Sequence, residues 1–144
     1  MMLLSERIVQ DAPDAIIVAD PSGTITLWNG GAERLFGYSA AEAVSRSLDL
    51  IIPEAQRRRH WDGYHQVMRT GATKYGTQVL RVPATRKDGS RFSIAFTVGL
   101  LKGADGEVDG IFAIMRDDTE RWETEKELRK RVAALEKSGS SGVS

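Results

Sequence analysis

Apolar and β-branched residues alternate around short polar turns in three parts of the chain, and this pattern predicts three β-hairpins. The first turn is Asp20–Gly23, in which the proline presets φ and the glycine accepts a positive φ. The second is Lys87–Ser90, whose Asp-Gly pair predicts a type I′ turn with positive φ at both central residues. The third is Gly103–Gly106. The predicted strands are 16–19, 24–29, 76–86, 91–102 and 108–116, joined as antiparallel hairpins except across the middle.

The segment between the second and third strands has a helical pattern. Ser39 and Glu42 have the spacing of a capping box, in which each side chain satisfies a free amide at a helix start. Gly37, Pro53 and Gly71 mark helix ends, because glycine accepts the left-handed C-cap and proline cannot continue a helix. The predicted helical pieces are Gly30–Phe36, a turn beginning at Ser39, Leu48–Ile52 and Glu54–Arg69. Strands on both sides of this helical segment predict an α+β fold.

The fourth predicted strand divides its residues into a face of large and a face of small side chains, since successive strand residues point to opposite sides. The large face, which must line a core, consists of Phe92, Ile94, Phe96, Val98 and Leu100. The small face consists of Ser93, Ala95, Thr97 and Gly99. Because the small face carries no charge, we expect it to be covered. The candidates are an N-terminal helix in 1–11, with Leu3, Leu4, Ile8 and Val9, or a partner chain.

The C-terminal segment 118–137 is strongly charged but periodic. Leu128, Val132 and Leu135 follow a 4–3 spacing, and glutamates precede arginines by four residues at Glu125 and Glu127. Such a helix gains stability when its narrow apolar stripe finds a partner, so we expect a homodimer through the terminal helices. The domain division is then an N-terminal cap helix (1–11), a core (12–117), this coiled-coil helix (118–137) and a flexible Ser/Gly tail (138–144).

Composition narrows the function classes. The chain has 144 residues, the size of one domain, and its 20 basic residues balance its 20 acidic residues. A binder of nucleic acid or of anionic membranes usually carries a basic excess, so neither partner is expected. No apolar run approaches the ~18 residues that span a membrane, and the N-terminal segment becomes charged too early for a secretory signal. We therefore expect a cytoplasmic domain.

Several stretches of the chain resemble the PAS family of sensor domains. They are 12–53, with the strand–DPSG–strand hairpin, Trp28-Asn29 and Leu35–Ser39; 86–101, similar to the family's later hairpin; and 110–128, similar to its last strand, exit motif and outgoing helix. The order and spacing of these motifs carry the resemblance, which covers nearly the whole chain. It implies a five-stranded antiparallel sheet with helices on one face and flanking terminal helices.

In the PAS family the cavity between the sheet and the helices often holds a small molecule, and the terminal helices relay its presence to an effector. The cavity residues implied here are Trp28, Trp61, Tyr64, Leu80, Phe96, Val98, Leu100 and Ile114. In a domain of this size, aromatic residues such as these more often belong to a plain core. The residues implied for signal coupling are Arg86, Asp117, Asp118 and Thr119, although capping of the last helix also explains the last three. The resemblance likewise places Asn29 as a helix cap.

Catalysis is not expected, because the chain lacks a nucleophile elbow and a P-loop and its carboxylates are scattered. His60 and His65 are five residues apart, so they diverge by about 140° on a helix and cannot share one metal ion.

The resemblance raises haem as a cofactor. Haem PAS domains of the oxygen-sensing kinase type place an axial histidine on this helix, after a similar Pro-Glu and basic run, and His60 holds the matching position. Such sensors also place an arginine on the next strand, and here the matching residue is Leu80, while Arg81 points to the other face. The alternative for His60 is a residue that forms hydrogen bonds near the helix surface.

The cofactor therefore stays open at this stage. A photoactive flavin adduct is excluded, because it requires a cysteine and the chain has none. The sequence thus predicts a PAS sensory and dimerisation module that senses a small ligand or cofactor and relays the signal through its C-terminal helix. The alternatives are a haem gas sensor with His60 as the axial ligand, and a dimerisation module with a filled core.

Overall fold

The computed structural model describes residues 2–141. Its helices are α1 (Leu4–Asp11), α2 (Gly30–Phe36), α3 (Ala40–Ala43), α4 (Glu54–Thr70) and α5 (Thr119–Ser141), with a 3₁₀ turn at Leu48–Ile51. Its strands are β1 (Ala15–Ala19), β2 (Ile25–Trp28), β3 (Leu80–Thr85), β4 (Arg91–Lys102) and β5 (Val108–Asp117). The predicted α+β order of elements is confirmed, and so is the capping box of Ser39 and Glu42 at the start of α3.

The five strands form one antiparallel sheet in the order β2-β1-β5-β4-β3. Residues directly opposite each other on paired strands share a face. The inner face, which lies toward the buried core, carries Ala15, Ile17, Ala19, Leu80, Ala84, Phe92, Ile94, Phe96, Val98, Leu100, Ile111, Ala113 and Met115. The outer face carries Ile16, Val18, Arg81, Ala95, Thr97, Gly99, Phe112 and Ile114.

Part of the outer face of β4 is covered by a side chain of the same sheet. The ring of Phe112, on the neighbouring strand β5, lies over Gly99 and leaves no room for a side chain there. Helix α1 instead contacts the start of α2, where the amide of Asn29 donates a hydrogen bond to the carbonyl of Val9. The small residues of β4 therefore accommodate a large side chain of the same sheet.

The three hairpin turns share one hydrogen-bond pattern, in which a glycine amide donates to the carbonyl three residues earlier. The donor–acceptor distance is 2.9 Å from Gly23 to Asp20, from Gly89 to Arg86 and from Gly106 to Gly103. Each glycine has a φ between 80° and 86°, whereas Ser45 is the one non-glycine residue among residues 2–141 with a positive φ. The predicted type I′ turn at Asp88-Gly89 is therefore wrong, because that turn needs a positive φ at both residues and only Gly89 has one. The hairpin instead has a three-residue loop, which ends with the left-handed glycine.

Gly89 is required for its turn by backbone conformation alone. Its φ is +86°, and a Cβ added there would meet no atom within 4 Å. We expect Gly89→Val to lower the free energy of unfolding by more than about 1 kcal/mol, because a β-branched residue is strained in the left-handed region. Urea unfolding measures the loss.

Gly63 provides the control, since it lies inside α4 and a Cβ added there would also meet no atom within 4 Å. Gly63→Ala is expected to leave stability unchanged or raise it by up to about 1 kcal/mol, because alanine favours the helix. Equal stability of Gly89→Val and the unmutated protein would contradict the requirement for a left-handed residue.

The third strand and the last helix differ from their predicted bounds. Strand β3 begins at Leu80 rather than at Gly76, because Gly76 is left-handed and the amide of Gln78 closes a turn onto the carbonyl of Tyr75. Helix α5 extends past Lys137 to Ser141, into the predicted flexible tail, and residues 142–144 lie outside the described residues. The predicted ion pairs Glu125–Arg129 and Glu127–Arg131 are present on α5, at 4.0 and 3.6 Å.

Candidate functional site

The candidate site is the part of the inner face formed by the start of β3 and the second half of β4. Leu80 lies opposite Phe96 on the paired strands, and Val98 and Leu100 continue the same face along β4. All four side chains are half-buried, whereas Phe92 and Ile94, earlier on β4, are buried. The core therefore covers the first half of β4 fully and leaves an apolar surface that is only partly covered along the second half.

Ile114 does not belong to this surface. It lies opposite Thr97 and Ile16, which places it on the outer face, and it is 38% exposed. The inner-face residues of β5 are instead Ile111 and Ala113, which lie opposite Leu100 and Val98. The expectation that Ile114 lines the inner site is therefore corrected. The alternation of side chains along β5 puts Ala113 and Ile114 on opposite faces. Because both faces of this strand are apolar, the sequence alone does not show which residue lies on the inner face.

Trp61 and Tyr64 attach α4 to the β1–β2 turn. The indole nitrogen of Trp61 donates to the carboxylate of Asp49 at 2.7 Å, and its ring lies directly against Gly23. The hydroxyl of Tyr64 donates to the carbonyl of Asp20 at 2.5 Å. Burial, and secondarily the charge of Asp20, raise the pKa of Tyr64, so the phenol stays protonated and keeps donating. These aromatics fix the position of α4 relative to the β1–β2 turn.

Trp28 is a core residue rather than a residue of the partly covered surface. It is buried, its ring centroid lies 5.5 Å from that of Phe36, and its indole nitrogen donates to the carbonyl of Tyr38 at 2.9 Å. The contacts of Trp28 are therefore those of a plain core residue.

His60 lies on the same side of α4 as Tyr64, because the two are one helical turn apart. Its ring contacts Trp61 and Tyr64, with centroids 4.6 and 5.6 Å away. Its Nδ1 atom is buried and has no hydrogen-bond partner among the described residues. Burial lowers the pKa of His60, so the imidazole is neutral at pH 7. A buried polar atom without a partner is rare in folded proteins and marks this residue.

Met68 was not identified from the sequence. It lies on α4 a further turn beyond Tyr64 and packs against the core. The spacing of His60, Tyr64 and Met68 is the i, i+4, i+8 pattern of one helix face, so the signal was present in the sequence. The opposite end of α4 carries the Arg57–Arg59 run, of which Arg57 donates to the carbonyl of Ile52 at 3.0 Å.

The predicted coupling residues meet at the junction of β5 and α5. Arg86 pairs with Asp117 at 2.9 Å, and its guanidinium lies 3.7 Å from the ring centroid of Phe92. The other carboxylate oxygen of Asp117 accepts from the amide of Thr119, which begins α5. The amide of Ser93 donates to the Thr119 hydroxyl at 3.2 Å. The carboxylate that caps α5 is therefore the one that pairs with Arg86.

A second contact of the β3–β4 hairpin was not predicted. Lys87 Nζ lies 2.6 Å from the carboxylate of Glu42, and the Lys87 amide donates to the carbonyl of Phe36 at 2.8 Å. The hydrogen bond from Lys87, reinforced by that from Ser39, lowers the pKa of Glu42 to about 2. The hairpin therefore touches α2 and α3 on one side and α5 on the other.

Membrane spans and metal clusters are both absent from residues 2–141. No helix in this range has both the length and the apolar character needed to cross a bilayer. No three His, Asp or Glu side chains in the same range approach closely enough to hold a metal ion among themselves.

The chain is similar to sensor proteins and histidine kinases of known sequence. Sensor protein FixL of Bradyrhizobium diazoefficiens is 34% identical over 129 residues, which are 89% of this chain and 25% of that protein. The cell-division control histidine kinase PdhS of Brucella ovis is 27% identical over 123 residues, which are 85% of this chain and 12% of that protein. The chain thus spans a quarter or less of the length of these relatives.

Solved structures show the same fold. A PAS domain from Colwellia psychrerythraea superposes with a TM-score of 0.70 at 24% identity, covering 79% of this chain and 93% of that one. A sensory box histidine kinase/response regulator from Burkholderia thailandensis gives a TM-score of 0.67 at 17% identity, covering 92% and 98%. The family model described as the PAS fold matches residues 4–117. This chain therefore belongs to the PAS family of sensor domains.

Proposed function

We propose that this chain is a sensory module, without catalysis of its own, that binds a small apolar ligand or cofactor between α4 and the inner face of the sheet. The observation that carries the proposal is the partly covered surface of Leu80, Phe96, Val98 and Leu100. Ligand sites are lined mostly by apolar side chains with a few polar groups among them. The relatives named as a sensor protein and a histidine kinase support a role in signalling.

The relay to α5 is supported by the contacts at the β5–α5 junction. Arg86 rests on the core ring of Phe92 and pairs with Asp117, whose carboxylate also caps α5. A ligand that shifts the inner face would move Phe92 and Arg86 together, and the shift would reach the first turn of α5.

A cytoplasmic location of this module stays a prediction.

Haem is the cofactor that a specific observation favours. His60 offers a neutral imidazole on the inward side of α4, with a buried nitrogen that has no partner among the described residues. Neutral imidazole is the common protein ligand of haem iron. His60 would hold the iron, and Leu80, Val98 and Leu100 would supply the apolar surroundings. Haem bound there would supply an iron centre able to take a diatomic gas.

Reconstitution with haemin tests the haem proposal. We expect the unmutated protein and His65→Ala to give a shifted Soret band, and His60→Ala to give none, because His60 is the proposed iron ligand and lies on the same side of α4 as the buried Tyr64. His65→Ala is the matched control, since it removes the other imidazole of the same helix. Melting curves of both variants show whether each is folded.

Three outcomes would change the assignment. A Soret shift lost only in His65→Ala would reverse the roles of the two histidines. No shift in the unmutated protein would remove haem and leave the apolar-ligand proposal to be tested with other ligands. Strong preference for oxygen over carbon monoxide would contradict the apolar surroundings, because Leu80 supplies no hydrogen-bond donor to a gas ligand.

Homodimerisation through the terminal helices is part of the proposal. Leu128, Val132 and Leu135 of α5 are at least half exposed, and so are Leu4 and Ile8 of α1. Apolar stripes of this kind gain stability when two helices pair. We expect light scattering at high micromolar concentration to give twice the monomer mass.

A chain ending after Asp118 is the control for the dimer, because it keeps the sheet and removes α5. We expect this truncation to weaken the dimer by at least tenfold in Kd. A monomer in the full chain would contradict the proposal, and an undiminished dimer in the truncated chain would assign the contact to α1 and the sheet.

A further inference from the structure

Strand β3 contacts the start of α5 from the outer face of the sheet. The Nε atom of Arg81 lies 3.4 Å from a carboxylate oxygen of Asp118. The side chain of Asp118 is only 11% exposed, and that of Arg81 is 40% exposed. A carboxylate this close to full burial requires a charged or hydrogen-bonding partner, and the guanidinium of Arg81 is in position to be that partner.

Arg81 is the immediate neighbour of a residue of the candidate site. Leu80 lies opposite Phe96 on the inner face, whereas Arg81 lies opposite Ala95 on the outer face. Because β3 is an edge strand, it is hydrogen-bonded to β4 alone and moves at the cost of one ladder. A displacement of Leu80 by a ligand is therefore carried to Arg81 by the rigid peptide between them.

Asp118 links the sheet to the last helix. It follows the last residue of β5, and its amide donates to the carbonyl of Ser93 at 2.7 Å. Its own carbonyl accepts from the amide of Trp122, in the first turn of α5, at 3.0 Å. A shift of the Asp118 side chain therefore acts directly on the first helical hydrogen bond.

The two ion pairs at this junction approach α5 from opposite faces of the sheet. Asp117 lies opposite Ile94, on the inner face, and pairs with Arg86. Asp118, the next residue, pairs with Arg81 of the outer face. The pair on the inner face connects α5 to the β3–β4 hairpin through Arg86. The pair on the outer face connects α5 to the edge strand β3, which carries Leu80.

We propose that the Arg81–Asp118 ion pair is a positioning contact that couples the ligand surface at Leu80 to the first turn of α5, independently of Arg86 and Asp117. The inference rests on the proposed function, since the relay matters only if α5 carries a signal. Arg81 touches no ligand in this arrangement and acts through Asp118. The orientation of α5 is then set jointly by the hairpin and by β3.

Hydrogen exchange of the full chain tests the contact itself. We expect Arg81→Gln and Asp118→Asn each to raise the exchange rates of the amides of residues 121–125 by about two- to fivefold, the effect of a partly exposed ion pair. The double variant should exchange no faster than the faster single variant, because both remove one contact. Arg81→Lys should restore part of the protection.

Arg116→Gln is the matched control for the contact. It breaks the 3.0 Å pair with Asp14, on the same outer face, and should leave the exchange of residues 121–125 unchanged. Additive effects of Arg81→Gln and Asp118→Asn would overturn the inference, as would unchanged exchange in both.

A second arm tests the coupling to the ligand surface. The Leu80→Ala substitution is made in the unmutated chain and in the Arg81→Gln chain, and Leu80→Val replaces it if it does not fold. We expect it to change the exchange rates of the amides of residues 121–125 in the unmutated chain. In the Arg81→Gln chain the change should be less than half as large. An equal change in both backgrounds, or no change in either, would overturn the inference. This arm uses no ligand, so a chain that binds neither haemin nor another ligand would defeat the proposed function and leave the coupling result intact.

Discussion

Replacing Asn29 by alanine is expected to lower the free energy of unfolding by about 3 kcal/mol. Asn29 is 1% exposed, and its Oδ1 accepts from the amides of Ile16 and Ala32 at 2.8 and 2.9 Å. Its Nδ2 donates to the carbonyls of Val9 and Asp14 at 2.8 and 3.0 Å. The truncation leaves these partners unsatisfied, and each buried unsatisfied group costs about 1–3 kcal/mol, partly recovered by relaxation. Urea unfolding with a constant m-value measures the loss.

Two further variants separate the contributions of this side chain. Ser39 caps α3 in an exposed position, so Ser39→Ala should cost about 1 kcal/mol, the usual value of an N-cap. Asn29→Asp should not restore stability, because it keeps the acceptor but turns a carboxylate oxygen toward the carbonyls of Val9 and Asp14. A loss in Asn29→Ala no larger than that in Ser39→Ala would show that Asn29 acts only as a helix cap.

The features that sequence predicted correctly are determined by short-range chemistry. The capping box of Ser39 and Glu42 involves residues three apart, and the hairpins follow from glycines at turn positions. Strand β4 has its predicted bounds, because large and small residues alternate along it without interruption. In each case a few neighbouring residues specify the structure, so the pattern contains the information.

The features that sequence did not predict depend on register and on contacts between distant residues. Ile114 was placed on the wrong face because β5 is apolar on both sides, and only pairing with Thr97 and Ile16 distinguishes them. The pairs Lys87–Glu42 and Arg81–Asp118 join residues that are far apart along the chain. Neither pair can be recognised from the sequence, because the chain has 20 acidic and 20 basic residues from which many such pairs could form.

Replacing Phe36 by alanine is expected to cost about 3–5 kcal/mol, the usual range for a fully buried phenylalanine. Phe36 is 0% exposed, and its ring lies 5.5 Å from that of Trp28 and 5.7 Å from that of Phe92, centroid to centroid. The cavity left by the ring lies between α2 and the sheet, where the rigid backbone limits collapse. Thermal and urea unfolding measure the loss.

Phe112→Ala is the matched control, because it makes the same substitution on the half-buried outer face. It should cost clearly less than Phe36→Ala, since solvent can fill the space over Gly99. If Phe36→Ala does not fold, Phe36→Leu should still show a loss of about 1 kcal/mol, as a shape change in a packed core does. Equal losses of unfolding free energy in the two alanine variants would show that Phe36 contributes no more to stability than a half-buried residue of the outer face. Loosened packing around Phe92 should also weaken the hold of Arg86 on Asp117, so hydrogen exchange at the start of α5 should rise in Phe36→Leu and not in Phe112→Ala.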